Sequence, residues 1–237
     1  KELTPNITMG YALKNSKVSG FLELLFDIHT TATSDSYRAT DAFKIVLHPL
    51  FKSYYSKEVG SSTDALVFAM RKRNLSFWNS SELQKMKPEA ANLFAAVFSK
   101  ELQNPKQFVK QLLILVEQFQ KIAHQDRDLA LETDCIYISG LLKKLQSWMD
   151  QYEFINSLVA LKTLFQRMLS KSNNYFKGEA MEGLQIMGML ESRNLDFETV
   201  ILTHLNEGIL PGGKKMNSHL PYELKKMYGL PTYKERD

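Results

Sequence analysis

Gly183-Leu-Gln-Ile-Met-Gly-Met-Leu-Glu-Ser-Arg-Asn-Leu-Asp-Phe-Glu-Thr-Val-Ile-Leu-Thr-His-Leu-Asn-Glu-Gly-Ile-Leu-Pro211 is the stretch on which the reading of this chain turns. Two apolar runs, 184–189 and 199–205, flank a polar turn, and the unit closes on Asn206, Glu207 and Gly208 ahead of Pro211. Short, nearly continuous apolar runs bounded by turn residues read as strands buried on both faces, which is the signature of parallel pairing. The segment Asn6-Ile-Thr-Met-Gly-Tyr11 is β-prone in the same way. Strands at 6–11, 184–189 and 199–205 are therefore expected to form a small, mostly parallel three-stranded sheet.

Between the first strand and the other two the period is helical. An apolar helix is expected over 18–30, and shorter ones over 41–47, 61–72, 81–86 and 88–100. Pro105 suits a helix start, where its missing N–H costs nothing, and Phe108, Leu112, Leu115, Val116 and Phe119 then form one stripe. Two further helices fill 126–167, parted near 150–154. Ser172-Asn-Asn174 and Gly178 end the helical part and mark the return to the sheet. A short helix is expected near 221–228. The fold class read from this layout is α/β: a predominantly helical insertion, 17–178, set into a small sheet formed by 1–16 and 179–237.

The 237 residues are 44% hydrophobic and 24% charged, ordinary for a folded chain with one good core or two smaller ones. The formal charge of +4 is compatible with a nucleic-acid partner without requiring one. Cys135 is the sole cysteine, so an internal disulfide and a four-thiolate iron–sulfur cluster are excluded, and a reducing, cytoplasmic compartment is expected. Every apolar run is shorter than the ~18–20 residues of a membrane span, so no membrane partner is expected. The first residue is not Met, and Tyr233-Lys-Glu-Arg-Asp237 carries no helix-ending signal; both features read as a piece of a longer protein.

The unit at 183–211 resembles the fifth motif of superfamily 1 DNA helicases, a strand leading into Thr-x-His-x-x-Lys-Gly-Leu-Glu-Phe, a second strand, and an acidic-Gly-x-x-Pro loop. Leu195, Asp196 and Phe197 take the Leu-Glu-Phe positions; Asn206, Glu207, Gly208 and Pro211 take the loop. The chemistry departs from the frame, with Gly188 in place of Thr, Leu190 of His, Arg193 of Lys and Asn194 of Gly. A degenerate unit of this kind is similar to the helicase-like half of RecB- and AddB-type helicase-nucleases, which process broken DNA ends. The run 6–14 resembles the entry into their second helicase-like domain. The resemblance implies a non-catalytic portion of a double-strand-break repair and recombination protein, without ATP coupling, that binds DNA and packs against the remaining domains or a helicase-nuclease partner subunit. ATP, Mg²⁺ and the nuclease centre would belong to other parts of the parent, and no cofactor is expected here. The alternative is a helical protein-interaction module with no DNA affinity and a large exposed apolar face.

Other chemistries find less support in the residues. Gly208-Ile-Leu-Pro-Gly-Gly213-Lys214-Lys215 nearly spells a phosphate loop, but Lys215 replaces the Mg²⁺-binding hydroxyl and Pro211 removes a backbone donor. Arg193, Lys214 and Lys215 are the candidate DNA contacts; Arg193 could clamp a phosphate or pair with Glu191 or Asp196. His204 among apolar neighbours reads as a core histidine. The other four histidines are scattered without metal-ligand spacing. Glu223-Leu-Lys225 has nuclease-like spacing but no upstream aspartate on a strand, and no Ser or Cys sits in a nucleophile elbow. Arg71-Lys72-Arg73, Lys143-Lys144, Lys214-Lys215 and Lys225-Lys226 could line a DNA path, with Phe77-Trp78 or Trp148 as a stacking face, or could be solvated helix faces.

Overall fold

The computed structural model describes residues 5–7, 10–33, 35–152, 155–175, 184–188, 191–192, 195–206 and 222–229. The chain divides into two units, Lys1–Glu191 and Ser192–Asp237.

The first unit is built around one helix. Ser16 accepts the Ser19 N–H through its hydroxyl at 3.0 Å, and the Ser19 hydroxyl donates to the Leu13 carbonyl at 2.7 Å, which fixes where α1 (Lys17–Thr31) begins. From there Val18, Phe21, Leu22, Leu25, Phe26 and Ile28 recur at helical spacing and are buried. Helices α2 (Ala39–Leu47), α3 (Pro49–Val59), α8 (Leu129–Gln151) and α9 (Leu158–Ser170) all pack on α1. Aromatic rings fill the joints. Phe26 lies 4.8 Å from Phe108 and 5.3 Å from Phe165, and Phe21 lies 5.2 Å from Phe119, centroid to centroid.

Phe108 and Phe119 belong to α7 (Pro105–Asp126), which starts on Pro105 as expected, is capped by the Asn104 side chain, and pairs with α8 as an antiparallel hairpin. Its stripe of Phe108, Leu112, Leu115, Val116 and Phe119 is buried. The helix expected over 88–100 is broken instead into a 3₁₀ turn at Pro88–Ala90, α6 (Ala91–Val97) and a 3₁₀ turn at Lys100–Gln103. Helix α4 (Asp64–Arg73) ends on Asn74 at φ 47°, and α5 (Ser80–Met86) opens on a capping box between Asn79 and Glu82.

The expected three-stranded parallel sheet is replaced by three separate two-stranded ladders among the described residues. β1 (Pro5–Ile7) pairs in parallel with β6 (Leu184–Ile186), with Asn6 opposite Gln185 and their amides joined at 2.7 Å. β2 (Gly10–Ala12) pairs antiparallel with β5 (Asn173–Tyr175), and β3 (Ser36–Arg38) with β4 (Phe77–Asn79). Two of the foreseen strand sites, 6–11 and 184–189, thus hold strands, although the first is divided between two ladders and the second is shorter. The third, 199–205, carries no regular structure. Leu184 and Ile186 are each more than two-fifths exposed, so β6 is not buried on both faces. Apolar, β-branched composition suits a strand but does not supply an edge to pair with, and pairing is a tertiary event. The resulting architecture is mostly helical. Tyr11 on β2 donates its hydroxyl to Asp134 on α8, tying the N-terminal ladder to the helices.

In the second unit, 195–206 is extended or irregular and mostly exposed, and α10 (Tyr222–Met227) falls where a last helix is expected.

Candidate functional site

The corner between α4 and β4 collects unpaired charge and aromatic surface. On α4, Leu66, Val67 and Met70 face the core, which by helical spacing leaves Phe68, Arg71 and Lys72 on the solvent side. Phe68 is 70% exposed. Arg71, Lys72 and Arg73 occupy the last turn, where cations complement the helix dipole. The left-handed residue Asn74 then turns the chain through Leu75 and Ser76 into β4, and all residues from 71 to 77 are exposed.

Strand alternation sorts the next residues. Trp78 points inward and is fully buried beside its cross-strand partner Tyr37, whereas Phe77 is 57% exposed and faces Arg38 across the ladder. The outer face of β3–β4 thus presents Phe77, Arg38, Ser36 and Asn79. Arg38, Arg71, Lys72 and Arg73 make no ion pair among the described residues. Of the nearby carboxylates, Asp41 is ion-paired with Lys44 at 3.0 Å, while Asp35, Asp64 and Glu82 accept from the Ser80 hydroxyl at 2.8 Å, the Ser62 hydroxyl at 2.9 Å and the Asn79 N–H at 3.1 Å; none is ion-paired with Arg38, Arg71, Lys72 or Arg73. Arg38 opposite an open aromatic ring, with three further exposed cations at the preceding helix end, suits a polyanion with planar groups.

The candidates at the helicase-like unit fall differently. Arg193, Lys214, Lys215, Glu207 and Gly208 lie outside the described residues. Leu195 closes a turn by donating its N–H to the Ser192 carbonyl at 3.2 Å, Asp196 and Phe197 are exposed, and the Asn206 N–H donates to the His204 carbonyl at 2.9 Å. Glu191 accepts the Gly188 N–H at 3.0 Å, so this part of the turn is closed by its own carboxylate. His204 is not the core histidine that its neighbours suggest: it is exposed, at φ 61°, with Leu202 and Leu205 also more than half exposed.

Of the other basic clusters, Lys143 and Lys144 are exposed on α8, but Lys144 lies 5.2 Å over the Trp148 ring and covers the face a base would need. Lys225 and Lys226 stand on α10.

His29 and Cys135 are buried titratable groups inside the core. His29 donates from Nε2 to the Val97 carbonyl at 2.8 Å, and burial lowers its pKa to about 4. Burial, aided by Asp134, pushes the Cys135 thiol up to about 12, so it stays protonated.

Arg38 and Phe68 are the site residues that sequence reading passes over. The alternation Ser36-Tyr37-Arg38 against Phe77-Trp78-Asn79 was the available signal, hidden within a region of helical period. No protein-family model, no curated protein and no solved structure matches the chain.

Proposed function

We propose that this chain is a non-catalytic, DNA-binding portion of a helicase-nuclease-like protein of double-strand-break processing and recombinational repair. The observation that carries the DNA-binding part is the cluster of four cations without carboxylate partners at the α4–β4 corner. Unneutralised Lys and Arg in one place release counterions from a phosphate backbone and so favour its binding. The layout gives further support: β1 and β6 pair in parallel with the whole helical body as their crossover, as a motor domain split by an insertion requires.

In this reading ATP, Mg²⁺ and the nuclease centre belong to other parts of a cytoplasmic parent. The present portion holds DNA and packs against the remaining domains or a partner subunit. The test is fluorescence anisotropy of the chain with a labelled duplex bearing a single-stranded tail, across a salt series. Affinity that falls steeply with salt is expected, with a further loss on Arg193→Ala or Lys214→Ala if those residues extend the path. No binding at low salt would sink the reading.

A second reading has its own observation. Val200, Ile201 and Leu202 are each more than three-fifths exposed, as an interaction module with no DNA affinity would require. The same titration separates the two.

A further inference from the structure

We propose that the outer face of the β3–β4 ladder is a stacking site for the unpaired bases of single-stranded nucleic acid, with Phe77 as the platform. The inference rests on the DNA-binding reading above and adds to it the class of ligand and the residue that selects it.

The ladder places Phe77 and Arg38 directly opposite each other on its solvent side, while Tyr37 and Trp78 hold its other side in the core. Cross-strand partners on one face have their Cβ atoms about 5 Å apart, so a guanidinium and a ring stand side by side at a spacing one base can bridge. The neighbouring pair on that face, Ser36 and Asn79, is small and polar and leaves the ring open. Phe77 is anchored by its neighbour: with Trp78 fully buried, the strand cannot turn the ring inward.

Backbone charge and base recognition then separate by position. Arg71, Lys72 and Arg73 lie four to six residues before Phe77 along exposed chain, and the phosphates adjoining a base on the ring are assigned to them. Phe68 offers a second exposed ring one turn before Lys72. A duplex keeps its bases stacked on one another and can meet only the cations. A single strand can meet the cations and the ring together. Selectivity for single strands over duplex is therefore assigned to Phe77, and charge-driven affinity for both to the α4 terminus.

The experiment compares a fluorescein-labelled oligothymidylate and a blunt duplex of equal length as ligands of the whole chain and of Phe77→Ala, Phe77→Trp and Arg38→Ala. Phe77 is exposed, so its replacement leaves the fold intact, as circular dichroism would verify. Phe77→Ala is expected to weaken the oligothymidylate about tenfold or more and leave the duplex within about twofold, while Phe77→Trp retains single-strand binding. Arg38→Ala is expected to weaken both. Unchanged oligothymidylate affinity in Phe77→Ala overturns the stacking site and leaves the DNA-binding reading standing. Competition by polyglutamate as strong as by unlabelled oligothymidylate also overturns it, because charge alone would then account for binding. Failure of the unaltered chain to bind either ligand removes the DNA-binding reading itself.

Discussion

Phe77 and Trp78 are consecutive in sequence and lie on opposite sides of one short ladder, the first 57% exposed beside Arg38 and the second fully buried beside Tyr37. Their roles follow from that alternation. Trp78→Ala removes a large ring from a packed interior and is expected to cost about 3–5 kcal/mol. Phe77→Ala is expected to stay within about 0.5 kcal/mol. Urea denaturation of both variants measures the contrast, and equal costs would mean the ladder does not hold its two faces as described.

Replacing Arg71, Lys72 and Arg73 together by Ala tests the charge. Each cation that neutralises a phosphate of a single strand adds about 0.7 to the slope of log affinity against log salt, so removing three predicts a slope shallower by about 2. An unchanged slope would place the phosphate path elsewhere. The same variant lacks the cations that complement the α4 dipole, so a small fall in stability is expected alongside.

Stability below neutral pH should carry the signature of His29. Its folded-state pKa is depressed to about 4 by burial, against an ordinary value of 6.5. Between those values the unfolded chain binds a proton that the folded chain refuses. The contribution is fully present above about pH 6.5 and is lost as pH falls toward 4, by about 1.4 kcal/mol per pH unit. Urea midpoints at pH 7.5 and pH 5 should differ accordingly, and His29→Gln, which can still donate to the Val97 carbonyl, should flatten the dependence. A variant with the same slope would assign it to other groups.

Gly60 closes α3 at φ 71° with its N–H on the Ser56 carbonyl, and a Cβ there would meet nothing within 4 Å. The cost of Gly60→Ala is then backbone strain alone, about 1 kcal/mol. Asn74, at φ 47°, is a second left-handed helix end. Asn74→Gly is expected to be neutral or slightly stabilising in thermal unfolding. A loss from Asn74→Gly larger than that from Gly60→Ala would show that the Asn74 side chain holds the corner.

The sequence by itself determined most of the helices. Residues Phe108 to Phe119 bury one stripe, Pro105 starts α7, and 18–30 and 126–167 form helices close to where their period places them. A helix makes its backbone hydrogen bonds within itself, so periodicity and caps are local and legible. Strands are different. Segment 199–205 has the composition of a strand and no regular structure, and the ladder of 36–38 with 77–79 formed inside a stretch of helical period. A strand exists only where a second chain segment offers its edge, and nothing in three residues announces a partner some forty positions away. The same limit applied to the site. Sequence presented Phe77 and Trp78 as equivalent stacking residues beside Arg71, Lys72 and Arg73; only the pairing of β3 with β4 decided which ring faces solvent and set Arg38 across from it.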